Sequence, residues 1–265
     1  MTTPIVVVSD IHANSIVGLC APHTKLQEGG EYALNQFQRW LWTKWKDFIK
    51  QVPKGSILLI NGDWLHGHNG ARETGLISTS ATDMCRIGAG VIEPLADKAK
   101  SVYVIKGTSY HGGIGEQDTE AVAQDIGAVR DDGTGQYSHW SLFLQHEGLL
   151  FHFAHHISIA PVFPLSPMQR ELTNAKINSV DAHSPCPDVL VRSHRHQYRE
   201  YFNNGRWVFA TAGWQLQTDY TLQKMPMALP DVGGLILWVK KRQLEHHPVL
   251  YPLPPQKILL TSNRS

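Results

Sequence analysis

Residues 188–197 read DVLVRSHRHQ, and this stretch decides the fold. Its first half has the β-branched and aliphatic character of a buried strand, and the strand stops at two histidines separated by one arginine. Because the chain has 15 histidines in 265 residues, the pair could be a coincidence. The alternative is that His194 and His196 are metal ligands placed at the end of a strand, and the rest of the sequence has to decide between the two.

Length and composition predict one globular domain over residues 1–265. With 42% hydrophobic and 18% charged residues, the chain can bury a full core. Its 24 Lys and Arg residues nearly balance 23 Asp and Glu residues, for a formal charge of +1. There is then no global field to attract duplex nucleic acid or an anionic membrane, although a local basic patch stays open.

Cysteine usage and the N-terminal residues predict a soluble, cytoplasmic protein. Cys20, Cys85 and Cys186 are an odd number at wide spacing, which favours reduced thiols over a disulfide framework. The N-terminus has only four consecutive aliphatic residues, and no apolar run reaches the length of a membrane span.

The first half of the chain alternates strands with helices. Continuous apolar runs predict strands at 5–8, 56–60 and 102–105, whereas three- and four-residue spacings predict helices at 34–50, 82–99 and 116–126. Pro94 should kink the second helix or mark its boundary. This order favours an α/β fold with parallel crossovers.

The second half is richer in hairpins. Two strand-like runs surround Glu147-Gly148 within 137–155, two surround Asn203-Asn204-Gly205 within 198–211, and two more lie in 233–251. A helix is predicted at 165–180.

Polar side chains follow the predicted strands where each strand ends. In an open α/β sheet, ligand sites lie beyond the carboxyl ends of the strands, so these residues are expected to form one site. Taken singly, each is more typical of a cap, a turn or an ordinary core histidine. The strand-end residues are Asp10 and His12, Asp63, Thr108 and His111, His155 and His156, and His194 and His196.

The order of these motifs resembles the calcineurin-like metallophosphoesterase superfamily. The resemblance covers about residues 5–215 and is most specific in SDIH (9–12), NGDWLHG (61–67) and SHRH (193–196). It implies an αββα sandwich, in which two mixed sheets pack face to face with helices outside, and it implies two divalent metal ions. Histidine and carboxylate ligands without cysteine suit Mn, Fe, Zn or Ni.

The resemblance also implies a role for each motif residue. It assigns Asp10, His12 and His196 to the first metal and His155 and His194 to the second, with Asp63 bridging both. Spacing agrees, because the two side chains of His-x-His can diverge toward two ions while Asp-x-His points both side chains to one side. His156 could substitute for its neighbour His155.

The third motif departs from the superfamily pattern. The chain reads KGTSYHGG at 106–113, with Thr108 where an asparagine ligand is expected and a histidine two residues late, at His111. A site without metal is one interpretation. The other is a phage-like Gly-Thr-x-x-His variant, in which the Thr108 hydroxyl binds phosphate or the second metal and His111 is the general acid. The second metal would then be bound more weakly.

The predicted function is hydrolysis of a phosphate ester by a hydroxide that two metals activate, with Asp63 and His111 in the catalytic machinery and diesters favoured over monoesters. His66, His68 and Arg72 follow Asp63 closely and either contact substrate or are plain loop residues. Trp214, with Gln217 and Tyr220, either lines the substrate cleft or packs on the surface. The alternatives are a nuclease acting on DNA ends, which the near-zero charge disfavours, and a non-catalytic binding module.

Overall fold

The computed structural model describes residues 2–67, 75–158, 160 and 163–254. Its helices are α1 (Gln36–Gln51), α2 (Ala81–Ala96), α3 (Gln117–Asp125), α4 (Ser166–Asp181) and α5 (Asp219–Lys224). Its strands are β1 (Ile5–Val8), β2 (Ser56–Asn61), β3 (Ala99–Ile105), β4 (Ser138–His139), β5 (Leu142–His146), β6 (Leu149–Phe153), β7 (Val189–Arg192), β8 (Arg199–Asn203), β9 (Arg206–Ala210), β10 (Val232–Lys240) and β11 (Gln243–Tyr251). None of the helices in these ranges is long and apolar enough to cross a bilayer.

The strands form two mixed sheets. The first has the order β11-β10-β1-β2-β3-β4, with β1 to β4 parallel and the β10–β11 hairpin antiparallel to β1. The second has the order β5-β6-β7-β9-β8, with β6, β7 and β9 parallel and antiparallel strands at both edges. The predicted parallel crossovers and the predicted hairpins are therefore both present.

The two sheets pack face to face through alternate residues of their strands. Ile5 and Val7 of β1 contact a fully buried layer that includes Phe151 and Phe209 of the second sheet. Because Val6 and Val8 point the other way, into the helix-covered core, β1 is buried on both faces and reads as a continuous apolar run.

Helices cover the outer faces. On the first sheet, α1 packs with fully buried Trp45 and Phe48, and on the second, α4 packs Met168 and Leu172 onto the outer side chains of β7 and β9. This arrangement is the αββα sandwich that the sequence predicted.

Local signals set several element boundaries. Asn35 and Gln38 form a capping box that starts α1. Pro94 was predicted to kink α2 or to mark its boundary. The helix ends at Ala96, so Pro94 lies in its last turn, two residues before the end. Between β8 and β9, Asn204 and Gly205 have φ of 50° and 75°, the left-handed pair that a two-residue hairpin turn requires.

Candidate metal centre

The carboxyl ends of the central strands of both sheets meet at one place. Hydrogen bonds continue the strand pairing past the strand ends, from Asp10 N to the Gly62 carbonyl (3.0 Å) and from Ser193 N to the His155 carbonyl (2.8 Å). The backbone therefore delivers the residues after β1, β2, β6 and β7 to a common site, as the sequence predicted.

Two groups of potential ligands form there. In the first, composed of Asp10, His12 and His196, the ligand atoms all lie within 4.8 Å of one another. The His196 Nε2 is 3.3 Å from Asp10 Oδ1 and 3.2 Å from His12 Nε2. In the second group, Asp63 Oδ2 is 3.1 Å from His155 Nε2 and 3.7 Å from His194 Nδ1.

The two groups adjoin through Asp63. Its Oδ2 lies 4.0 Å from His12 Nε2 of the first group, and His155 Nε2 of the second group lies 4.0 Å from Asp10 Oδ1. Asp63 therefore stands between the two histidine sets. His155 is buried within its group, whereas His156 is exposed and its ring contacts the His194 ring.

The backbone is strained at these residues. A positive φ is uncommon in residues other than glycine, and the strain that it imposes on the chain tends to concentrate at functional sites. Five residues of the two groups have φ between 45° and 74°: Asp10, His12, Asp63, His194 and His196.

The donor chemistry fits a cation. Among the described residues, Asp10 Oδ1, His155 Nε2 and His194 Nδ1 are buried ligand atoms without a hydrogen-bond partner. Buried acceptors left without a donor are costly, and these three point at neighbouring ligand atoms rather than at apolar surface. A divalent ion in each group would satisfy them, and imidazole and carboxylate ligands suit such ions.

The charges of the site are strongly coupled. Burial alone would raise the pKa of Asp63, but the neighbouring His155 holds the pKa of that carboxyl well below its usual range. Conversely, burial would lower the pKa of His155 and His196, but the Asp63 and Asp10 charges raise both. Burial and nearby histidines hold the pKa of His12 well below its ordinary value.

Further residues orient the candidate ligands. The Nδ1 of His155 donates to the Asn61 carbonyl at 2.8 Å, which leaves its Nε2 facing Asp63. The Nδ1 of His12 lies 3.0 Å from Nδ1 of His66. Metal-binding histidines usually have such a partner on the second ring nitrogen. Sequence reasoning quoted Asn61 only within the NGDWLHG motif and gave it no role, because a backbone carbonyl leaves no signal in the sequence.

Thr108 of the variant third motif is hydrogen-bonded to Asp63. Thr108 donates to Asp63 Oδ1 twice, from its backbone N at 2.7 Å and from its hydroxyl at 3.0 Å. Binding of phosphate or the second metal by Thr108 stays a prediction, and in the structure its hydroxyl donates to the Asp63 carboxylate. Gly107 is required beside it, because a Cβ there would lie 2.2 Å from Asp63 Oδ1.

Glu116 organises the same loop. Its buried carboxylate accepts from Gly107 N (3.2 Å), Gly112 N (3.0 Å) and the Thr119 hydroxyl (2.8 Å). The sequence marked Glu116 only as the start of a helix, and nothing in its spacing predicted this role.

His66 and His111 join His12 in a third group of neighbouring imidazoles. The rings of His66 and His111 stack with centroids 4.7 Å apart, and His111 lies edge-on to His12 at 4.6 Å. Both face the same cavity as the two acid-containing groups. His68 and Arg72, also singled out in the sequence, lie outside the described residues.

The cavity above the site has a volume of about 1260 Å³ and is lined by His12, Asp63 and His111 together with the segment after β9, including Gln217 and Tyr220. Trp214 does not line it, which corrects the expectation that this ring contacts substrate. The indole is fully buried and packs edge-on to Trp45 at 4.7 Å, because Trp214 N bonds to the Asp10 carbonyl and turns the side chain into the core.

Two mixed sheets packed face to face, helices outside, and Asp and His residues at the meeting strand ends define the calcineurin-like metallophosphoesterase fold, and the chain has this fold. No protein-family model matches the sequence, and comparison with curated proteins gave no match.

Solved structures with a similar fold include wild-type Vps29 complexed with zinc from Entamoeba histolytica, at 10% identity over 94% of this chain and 99% of that chain, with a TM-score of 0.46. A novel archaeal phosphodiesterase is 11% identical over 93% of this chain and 100% of that chain (TM-score 0.47). A predicted phosphoesterase from Streptococcus pneumoniae is 8% identical over 95% and 94% (TM-score 0.42). At these values the likeness carries no function over to this chain.

Proposed function

We propose that the chain is a metal-dependent phosphoesterase with two divalent cations, and that it prefers phosphodiesters to monoesters. The observation that carries the proposal is the pair of adjoining acid-histidine groups, in which three buried ligand atoms make no hydrogen bond and several members line one cavity. Asp10, His12 and His196 would hold one cation and His155 and His194 the other, with Asp63 shared. When bound, such cations neutralise the anionic oxygens of a phosphate ester and make water a stronger nucleophile near neutral pH.

The chain's own residues orient this centre. Thr108 donates two hydrogen bonds to Asp63 Oδ1, and Oδ2 faces the histidines of the two groups. These bonds fix the orientation of the Asp63 carboxylate. Preorganised ligands of this kind cost no rearrangement when substrate binds.

His111 is positioned to serve the leaving group. It lines the cavity at the edge of the His12 ring, where an imidazole N–H can donate a proton or a hydrogen bond to the departing ester oxygen. A monoester and a diester can release the same alkoxide or aryloxide, so the preference for diesters rests on the space in the cavity. The cavity has room for a second ester arm.

Purified protein incubated with Mn²⁺ should hydrolyse bis-p-nitrophenyl phosphate faster than p-nitrophenyl phosphate, and elemental analysis should find bound divalent metal. His155→Ala should lose most of the metal and at least about a hundredfold in kcat/KM, because it removes a ligand. The adjacent, exposed His156→Ala is the matched control and should retain both.

Turnover of neither ester with any divalent cation, together with absence of bound metal, would leave the non-catalytic binding module as the better interpretation. Degradation of DNA that is lost in His196→Ala in parallel with ester hydrolysis would favour the nuclease.

A further inference from the structure

The cavity is larger than hydrolysis at a single phosphate group requires. Its volume of about 1260 Å³ exceeds the roughly 300–1,000 Å³ of typical small-molecule sites. Four of its lining residues are candidate metal ligands, His12, Asp63, His194 and His196, and most of the others belong to the segment after β9. A substrate that fills the cavity must carry a bulky group next to the phosphate.

Large apolar side chains stand among the polar residues that line this space. The segment between β9 and β10, which includes α5, contributes Leu216, Tyr220, Met225 and Pro230, and Tyr110 lies on the loop after β3. Tyr220 is 66% exposed and Met225 is 42% exposed, although both are large hydrophobic side chains. Neither belongs to a hydrophobic core cluster of the described residues. Clustered exposed apolar side chains beside a polar centre are typical of a binding surface.

The charges of the cavity do not fit a polyanion. Among the described residues, its lining has two cations, Arg195 and Lys224, and two carboxylates, Asp63 and Asp219, so it has no excess of positive charge. Lys224 shares its helix with Asp219, which also lines the cavity. A nucleic-acid strand presents one phosphate per nucleotide and is bound through a series of Lys and Arg contacts. This lining therefore complements one phosphate at the metal centre and an uncharged group beyond it.

From these side chains we infer a subsite for an aromatic ester arm of a phosphodiester, formed by Tyr220 and Met225, which line the same cavity. The inference rests on the proposed phosphoesterase function and names its substrate class. Aromatic rings stack favourably on tyrosine, and a methionine thioether adapts its shape to an aromatic edge. The arm that stays on the phosphate, rather than the leaving group, would occupy the subsite, since His111, the proposed donor to the leaving group, lies beside Tyr110 on the loop after β3 and not on the segment between β9 and β10.

Phenyl p-nitrophenyl phosphate and methyl p-nitrophenyl phosphate share a leaving group and differ only in the retained arm. The ratio of their kcat/KM values should favour the phenyl ester and should fall about tenfold in Tyr220→Ser, the size expected from losing one aromatic contact. Leu222→Ser is the matched control. Leu222 lies on the same helix and is 48% exposed but does not line the cavity, so its ratio should equal that of the wild type.

Calorimetric titration with diphenyl phosphate and dimethyl phosphate supplies a readout independent of turnover. Diphenyl phosphate should bind more tightly, and Tyr220→Ser should remove the difference. If both nitrophenyl esters are hydrolysed but Tyr220→Ser leaves the ratio unchanged, the subsite is overturned and the phosphoesterase stands. If neither ester is hydrolysed, the proposed phosphoesterase function is wrong. Equal Kd values for diphenyl phosphate and dimethyl phosphate would then show that the subsite is wrong as well.

Discussion

Glu116→Gln should destabilise the protein and slow catalysis although Glu116 contacts none of the candidate metal ligands. Glu116 is 1% exposed, and its two carboxylate oxygens accept from the backbone N–H groups of Gly107 and Gly112 and from the Thr119 hydroxyl. A glutamine has one acceptor oxygen and one NH₂ group. Its oxygen can keep the Gly112 bond, and the threonine hydroxyl can turn to accept from the new NH₂, but Gly107 N–H then faces a second donor.

The magnitude follows from these bonds. Leaving one buried N–H unsatisfied costs about 1–3 kcal/mol, and replacing a charge-assisted bond by a neutral one costs about another 1 kcal/mol. Burial raises the pKa of Glu116, so the buried charge itself has a desolvation cost that glutamine relieves. The net loss should be about 2 kcal/mol, equivalent to a fall in Tm of about 4–8 °C for a chain of this size.

The assay is denaturant unfolding of metal-free protein, followed by diester turnover at saturating metal. Because Gly107 precedes Thr108, a shifted loop should loosen the hold on Asp63 and lower kcat about tenfold with bound metal unchanged. Glu93→Gln removes the same charge from an exposed position of α2 and is the control. Equal unfolding midpoints and equal kcat for the two variants would refute the role given to Glu116.

Two further predictions concern histidines near the site. His66→Ala should weaken metal binding by the His12 group about tenfold to a hundredfold, because it removes the partner of His12 Nδ1. His66→Gln restores a hydrogen-bonding group and should recover part of the metal affinity in a calorimetric titration. Equal metal affinities of the wild type and both variants would contradict this. Burial and the adjacent Arg192 lower the pKa of His152 to about 4, so the unfolded state binds more protons between about pH 6.5 and 4 and stability should fall as pH drops through that window. Because the ring is only half-buried, the loss should be about 1–2 kcal/mol. It should appear as a pH-dependent difference in the free energy of unfolding between wild type and His152→Gln in urea, and a difference that does not change with pH would rule it out.

The sequence predicted most of the elements and the convergence of the candidate ligands. A strand that is buried on both faces is a continuous apolar run in the sequence, and the Asn204-Gly205 turn contains residues that tolerate a positive φ. Both features are visible in a few neighbouring residues, so the sequence could predict them. The turn of Lys241 and Arg242 has the same left-handed backbone, with φ of 50° and 63°, but lacks glycine and left no signal. The two-residue strand β4 is too short to show a pattern.

By itself, the sequence determined which residue types stand at the strand ends and in what order, because strand periodicity and chain direction are local properties. Only the tertiary structure decided what those residues contact. It turned the Thr108 hydroxyl to Asp63, set Glu116 as an acceptor for the loop and buried Trp214 against Trp45, since each contact joins positions far apart in the chain or depends on side-chain direction. The same holds for His194 and His196 in DVLVRSHRHQ, whose position the sequence predicted and whose contacts the tertiary structure decided. Their spacing predicted two diverging ligands, and the packing of two sheets brought Asp10 and Asp63 to meet them.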